Sequence, residues 1–162
     1  MIPENVLALP VAAELNTKFP DALIEGKNDL GELTLVVDPA RIIELSRYLK
    51  TDAKFIRLSG VTANDWFPAE PRFEVVYHYH RFDPEYRLRL KCRVSGEAPE
   101  IDSLTPVYKG ANWYEREIFD MFGITFRNHP DPTRILMPDD WEGHPLRKDY
   151  PIHGFKYSYQ SE

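Results

Sequence analysis

The side-chain types best suited to chemistry are concentrated between positions 112 and 151 of this chain. His129, Asp131, Asp139, Asp140, Glu142 and His144 are all metal-ligand types, and a hydrolase could use such a set to hold a cation and activate water. Their spacing is irregular, they fall in one proline-punctuated stretch, and no HExxH-like frame puts two of them on one helix face. A stand-alone metal-dependent hydrolase is therefore the lesser reading. No residue is assigned as catalytic, cofactor-binding or metal-ligating. Cys92 is the single cysteine. It excludes an internal disulfide framework, and an iron–sulfur cluster built on several cysteines of this chain alone. No Walker A or GxGxxG loop is present, so nucleotide binding has no support. His78 and His80 stand beside Arg87, Arg89, Lys91 and Arg93, whose charge would repel a metal ion.

The remaining charged residues of the stretch suit ion pairing. Asn112 can cap a helix running to Phe122, with Gly123 ending it in the left-handed conformation. Helical periodicity gathers Tyr114, Ile118, Phe119, Met121 and Phe122 into one apolar sector. Arg116, Glu117 and Asp120 lie opposite, where Arg116 and Asp120 make an i,i+4 surface pair. Glu115 breaks that division, because it projects within the apolar stripe; the alternative is a helix rolled so that Glu115 sits at the edge in water. A carboxylate buried in the stripe needs a cation or several donors, and Arg134, Arg147 and Lys148 are the candidates. An arginine partner would make Glu115 the anchor of the following segment.

From Arg127 to Glu162 the chain carries five prolines (Pro130, Pro132, Pro138, Pro145, Pro151) and no clear periodicity. A structureless stretch of more than about 15 residues is usually functional or disordered. Ile135, Leu136, Met137, Trp141 and Leu146 argue against disorder, since disordered segments are poor in such residues. The expectation is a folded domain over 1–126 and an extended segment over 127–162 that docks on partners, with Ile135, Met137 and Trp141 supplying much of its apolar contact.

Upstream elements must carry this segment. Residues 3–19 hold a helical pattern interrupted by Pro10. Glu32 to Asp38 alternates as a strand, and Asp38-Pro39 opens a helix with Ile42, Ile43, Leu45, Tyr48 and Leu49 on one stripe. Phe55 to Val61 is a second strand candidate. Phe73 to Val94 reads as a hairpin in which Tyr86, Leu88, Leu90, Cys92 and Val94 alternate with Arg87, Arg89, Lys91 and Arg93. A four-residue loop at Asp83-Pro84-Glu85-Tyr86 would pair Phe82 with Arg87 and keep Cys92 toward the core. The basic face is then either a solvated sheet surface or a site for an acidic partner. The fold class is α+β, a mixed or antiparallel sheet packed against helices with a long extended C-terminal segment.

At 162 residues with 43% apolar and 13% aromatic content, the chain suits one folded domain. A net charge of −6 disfavours nucleic acid as a partner. The most apolar run, Asn5 to Ala13, is too short to span a membrane and lacks a basic flank, so a soluble cytoplasmic protein is expected.

The run ERExxD at Glu115, Arg116, Glu117 and Asp120 is followed by MFGI at 121–124, HPD at 129–131 and RIL at 134–136. With DDWEGHPLRKDYP at 139–151, which includes Trp141, His144, Arg147 and Lys148, the set strongly resembles the thirty-kilodalton (C-type) subunit of proton-pumping NADH–quinone oxidoreductase, respiratory complex I. The resemblance implies a structural and assembly role in the hydrophilic arm, in an enzyme complex whose thirty-kilodalton subunit is non-catalytic in isolation. It implies no cofactor in this chain, with FMN and iron–sulfur clusters in partner subunits. It further implies partners among the other hydrophilic-arm subunits, above all the quinone-site subunit and the cluster-bearing ones, at the cytoplasmic face of the bacterial inner membrane. Interface or tail-anchoring roles then fall to Glu115, Arg116, Glu117, Asp120, His129, Arg134, Trp141, His144, Arg147 and Lys148. Because the sequence ends soon after Lys156-Tyr157, the expectation is a short form without the long extension of many members and without fusion to the quinone-site subunit. This short form also resembles the equivalent subunit of ferredoxin-driven or hydrogenase-type relatives.

Overall fold

The computed structural model describes residues 2–154. Its main sheet has five strands: β1 (Leu23–Asp29), β2 (Glu32–Val37), β3 (Arg57–Asp65), β4 (Phe73–Phe82) and β5 (Glu85–Val94). Their order is β1-β2-β5-β4-β3, with β2 and β5 parallel and the other pairs antiparallel. The fold is thus α+β around a mixed sheet, as expected from the sequence.

The helical pattern over 3–19 resolves into two short helices, α1 (Glu4–Leu7) and α2 (Pro10–Lys18), the second starting at the proline. Asp38 accepts a hydrogen bond from the Ala40 N–H and opens a turn of 3-10 helix leading into α3 (Ile42–Thr51), whose Ile42, Leu45 and Leu49 are fully buried. α4 (Ala111–Phe122) contributes Ile118, Met121 and Phe122 to the same core. These stripes cover the sheet face formed by Leu33, Leu35, Val75, Tyr77, Tyr79, Leu88, Leu90 and Cys92, all nearly solvent-free.

Two local readings are corrected, and one strand is added. The hairpin loop is shorter than expected: Phe82 pairs with Glu85, not Arg87, across Asp83-Pro84. That slip of two residues preserves the pleat, so Tyr77, Tyr79, Leu90 and Cys92 still share the core face. The strand read over 55–61 begins at Arg57 and runs on to Asp65, with a register shift between Leu58 and Gly60. β1 escaped the sequence reading because only Leu23 in it is buried, which leaves no alternation to detect. It joins β2 through Leu30 and Gly31, both at positive φ as a two-residue hairpin turn of this hand demands.

The four cations of β5 lie on the open face. Arg89, Lys91 and Arg93 meet Glu32, Glu74 and Glu25 at 2.7–2.8 Å. A small parallel pair, β6 (Glu100–Asp102) and β7 (Thr125–Arg127), flanks α4 and was not legible in the sequence. Arg127 bridges Glu100 and Asp102 across it. No described helix is long and apolar enough to cross a membrane.

Candidate functional site

The residues singled out in the sequence converge where the segment after β7 folds back over α4. Gly110, not Asn112, precedes the helix, and no side chain caps it; Asn112 lies in the first turn and offers its carbonyl to His129 Nε2 at 3.2 Å. Gly123 ends the helix at φ 71°. A Cβ there would stand 2.5 Å from the His144 ring and 2.9 Å from the Arg147 guanidinium, so the glycine also lets the segment approach.

Asp120 is the anchor of the junction. Its side chain is fully buried: Oδ1 accepts from Arg134 Nη1 at 2.6 Å, and Oδ2 accepts from the N–H groups of Ile135, Leu136 and Met137 at 3.1, 2.8 and 2.8 Å. Burial alone would raise its carboxyl pKa. The three amides and the guanidinium outweigh that and hold it below the usual value. Arg134 then donates from Nη2 to the carbonyls of Trp141 and Gly143, both at 3.0 Å, and so draws the later part of the segment inward.

The surface pair expected between Arg116 and Asp120 does not form. Arg116 lies over the Trp113 ring, donates to the carbonyls of Thr133 and Arg134, and meets Asp131 at 3.3 Å. The polar sector of α4 faces the returning segment rather than water, which no helical wheel can reveal. Glu117 alone among these charges is exposed.

Glu115 is fully buried, as the apolar stripe requires, but among the described residues no arginine or lysine meets it. Oε1 accepts from the Leu104 N–H at 2.7 Å and Oε2 from the Ser103 hydroxyl at 2.6 Å, while His129 Nε2 stands 3.7 Å away. Because His129 Nδ1 accepts from the Asp131 N–H, Nε2 carries the ring proton. Burial pushes the Glu115 carboxyl up to about 7, against the opposing pull of Ser103 and Leu104.

The helix C-terminus is closed by the same segment. The carbonyls of Asp120, Met121 and Phe122 meet His144 Nδ1, the Leu146 N–H and Arg147 Nε at 3.0, 3.0 and 2.6 Å. These are the acceptors a helix leaves unpaired, and the Arg147 guanidinium also suits the negative end of the helix dipole. Lys148 contributes its backbone N–H, 2.8 Å from Asp65 Oδ2.

That last contact opens a second anchor, absent from the sequence reading. Arg72 grips Asp65 through Nε and Nη2 at 2.9 and 2.8 Å, and Asp149 through Nη1 and Nη2 at 2.9 and 2.6 Å. Its guanidinium also covers the rings of Phe67 and Phe73. Burial opposes ionisation of Asp65, but Arg72 and the N–H groups of Lys148 and Phe67 bring its carboxyl down to about 2. The only sequence cue was Asp149 within the DDWEGHPLRKDYP motif; nothing local marks a partner 77 residues upstream.

Apolar residues of the segment divide between two sides. Ile135, Met137 and Trp141 are half-buried, Met137 packing against the core, whereas Leu136 and Leu146 are 56% and 54% exposed. Lys156 and Tyr157 lie outside the described residues.

The chain shares its pattern with known proteins. The profile of the family described as respiratory-chain NADH dehydrogenase, 30 Kd subunit, matches residues 35–156. The C-type subunit of the NADH-quinone oxidoreductase of Roseiflexus castenholzii is 47% identical over 144 residues, spanning 88% of this chain and 83% of that protein. Its counterpart in Geotalea uraniireducens is 44% identical over 141 residues, 87% of this chain and 86% of that one. Among solved structures, the trypsin-resistant fragment (1–134) of Nqo5 superposes with a TM-score of 0.66 at 28% identity, covering 75% of this chain and 96% of the fragment. A chain of the membrane-bound sulfane sulfur reductase, an archaeal respiratory membrane complex, gives 0.76 at 27% identity, covering 88% of this chain and 84% of its own. By its sequence profile, relatives and fold, the chain belongs to the family of the 30 kDa subunit of NADH–quinone oxidoreductase.

Proposed function

We propose that this chain is a structural and assembly subunit in the hydrophilic arm of a proton-translocating NADH–quinone oxidoreductase. Electrons pass through FMN and iron–sulfur clusters of partner subunits, and this chain braces the quinone-site and cluster-bearing subunits at the cytoplasmic face of the bacterial inner membrane. The observation that carries the reading is the division of the segment over α4. It is strapped to its own domain through Asp120 and Arg72, yet it presents Leu136 and Leu146 to the outside. Trp66 and Phe67, 51% and 45% exposed, directly follow Asp65, which accepts from the Lys148 N–H of the segment. Exposed aromatic and aliphatic side chains held on a rigid support are what a subunit interface uses.

Three of the residues that could suit a metal are engaged in structural contacts instead. Asp131 meets Arg116, His129 meets the Asn112 carbonyl, and His144 meets the Asp120 carbonyl. Isolated, the chain is expected neither to oxidise NADH nor to absorb as a flavin or iron–sulfur protein.

The test is the pair Leu136→Asp and Leu146→Asp in the full chain. Both side chains are exposed, so melting should be unchanged, while recovery with the purified membrane complex should fall at least tenfold. Recovery at the wild-type level would overturn the interface.

A further inference from the structure

A second surface lies on the opposite, helix-free face of the sheet. There β3, β4 and β5 floor a groove of about 480 Å³. The register sets Arg57, His80 and Arg87 in one cross-strand row, with His78 and Arg89 in the next. Cross-strand neighbours stand about 5 Å apart, where like charges repel. The sheet's own acids answer this unevenly. Glu32 takes Arg89 at 2.8 Å, but Glu85, itself 69% exposed, comes only within 3.5 Å of His80 Nε2 and 3.6 Å of Arg87. Arg57 has neither an ion pair nor a hydrogen bond among the described residues, and His80 Nε2 is buried without a hydrogen-bond partner. Farther along β5, by contrast, Lys91 and Arg93 are matched by Glu74 and Glu25. This end of the face therefore holds surplus positive charge in a chain of net charge −6. The floor is open: a Cβ placed on Gly60 would meet no atom within 4 Å.

We infer that this groove receives an extended acidic segment of a neighbouring subunit, with an Asp or Glu carboxylate bridging Arg57 and the His80–Arg87 pair. The inference rests on the subunit reading above but uses a different surface. A guanidinium fork with no internal partner suits a carboxylate, and charge complementarity selects partners more than it adds affinity. Nucleic acid and anionic membrane are disfavoured as occupants, because each needs an extended cationic surface, whereas here the surplus positive charge is confined to one groove of an otherwise anionic chain.

The test places the photo-crosslinker p-benzoylphenylalanine at Ser59, which lines the groove, in the full chain within the native membrane complex. Illumination and mass spectrometry should find an adduct to one subunit, within a few residues of an Asp or Glu. Arg57→Glu with Arg87→Glu should cut that adduct at least tenfold without changing the melting temperature, whereas Arg93→Ala should leave it intact. A chain that assembles but gives no adduct, a lipid adduct, or an adduct insensitive to charge reversal overturns the groove and leaves the subunit reading standing. A chain that does not assemble at all overturns both.

Discussion

At Asp120 one carboxylate oxygen receives three successive backbone N–H groups while the other receives an arginine, and the side chain is fully buried. Removing such a group leaves a buried guanidinium and three amides without their acceptor. Asp120→Ala should therefore cost about 3–5 kcal/mol, against about 1 kcal/mol or less for Glu117→Ala on the exposed side of the same helix. Denaturant melts of the two variants check this; equal losses would mean that the amide cluster is no stronger than the surface. Glu115 behaves differently, because its partners are a hydroxyl, an amide and, at 3.7 Å, an imidazole. Its folded pKa near 7 exceeds the ordinary 4.5, so the folded chain holds the proton more tightly than the unfolded one. This raised carboxyl contributes no penalty below about 4.5, and its ionisation erodes stability as pH climbs to about 7. Glu115→Gln should flatten that decline, worth roughly 3 kcal/mol, in melts taken from pH 5 to 8. An unchanged pH slope would place the titration elsewhere.

Among the elements, α4 is covered on two sides: its apolar sector lies on the sheet, and its polar sector and C-terminal carbonyls lie under the returning segment. Gly123 joins the two demands, since its φ of 71° disfavours a side chain and His144 occupies the space a Cβ would need. Gly123→Ala should then cost about 2 kcal/mol or more, combining the left-handed strain with displacement of the His144 ring. Faster tryptic cleavage at Arg147 or Lys148 in the variant would confirm that the segment has loosened. Unaltered stability and cleavage would show that the helix end tolerates the extra carbon. The same reasoning explains why the helix start was misplaced. Asn112 is a good cap type, but a backbone turn from Tyr108 through Gly110 already leads into the helix, as the Ala111 N–H bonded to the Tyr108 carbonyl shows.

For the whole molecule, the segment ties α4 to the β3–β4 end of the sheet through Arg72, Asp65 and Asp149. Cutting the chain after Phe126 would take away the partners of Asp120 and the Lys148 amide on Asp65. The shortened chain should melt roughly 10 °C earlier, as a loss of a few kcal/mol implies for this size, and should no longer co-purify with the complex. Melting at the full-length temperature would show that the segment adds nothing to the domain. The stretches before and after residue 126 share buried charge: Asp120 meets Arg134, and Arg72 meets Asp149.

Alternation placed Cys92, Tyr77 and Leu90 on the core face of a hairpin, and a register slip of two could not undo it because the pleat repeats every second residue. Helical periodicity placed Glu115 among apolar neighbours for the same kind of reason: position on one element depends only on its own spacing. Asp38-Pro39 and Gly123 announced their ends through backbone preferences that act within a few residues. The charge partners were beyond such reach. Asp120 looked like a surface residue until a segment without periodicity folded over it, and Glu115 found Ser103 and Leu104 because the pairing of β6 with β7 carries them beside the helix. Arg72 meets Asp149 across 77 residues, where no local pattern can act. Chain-local periods therefore determined which faces are buried. Only tertiary structure decided which ions meet, because that depends on how separate elements come together in space.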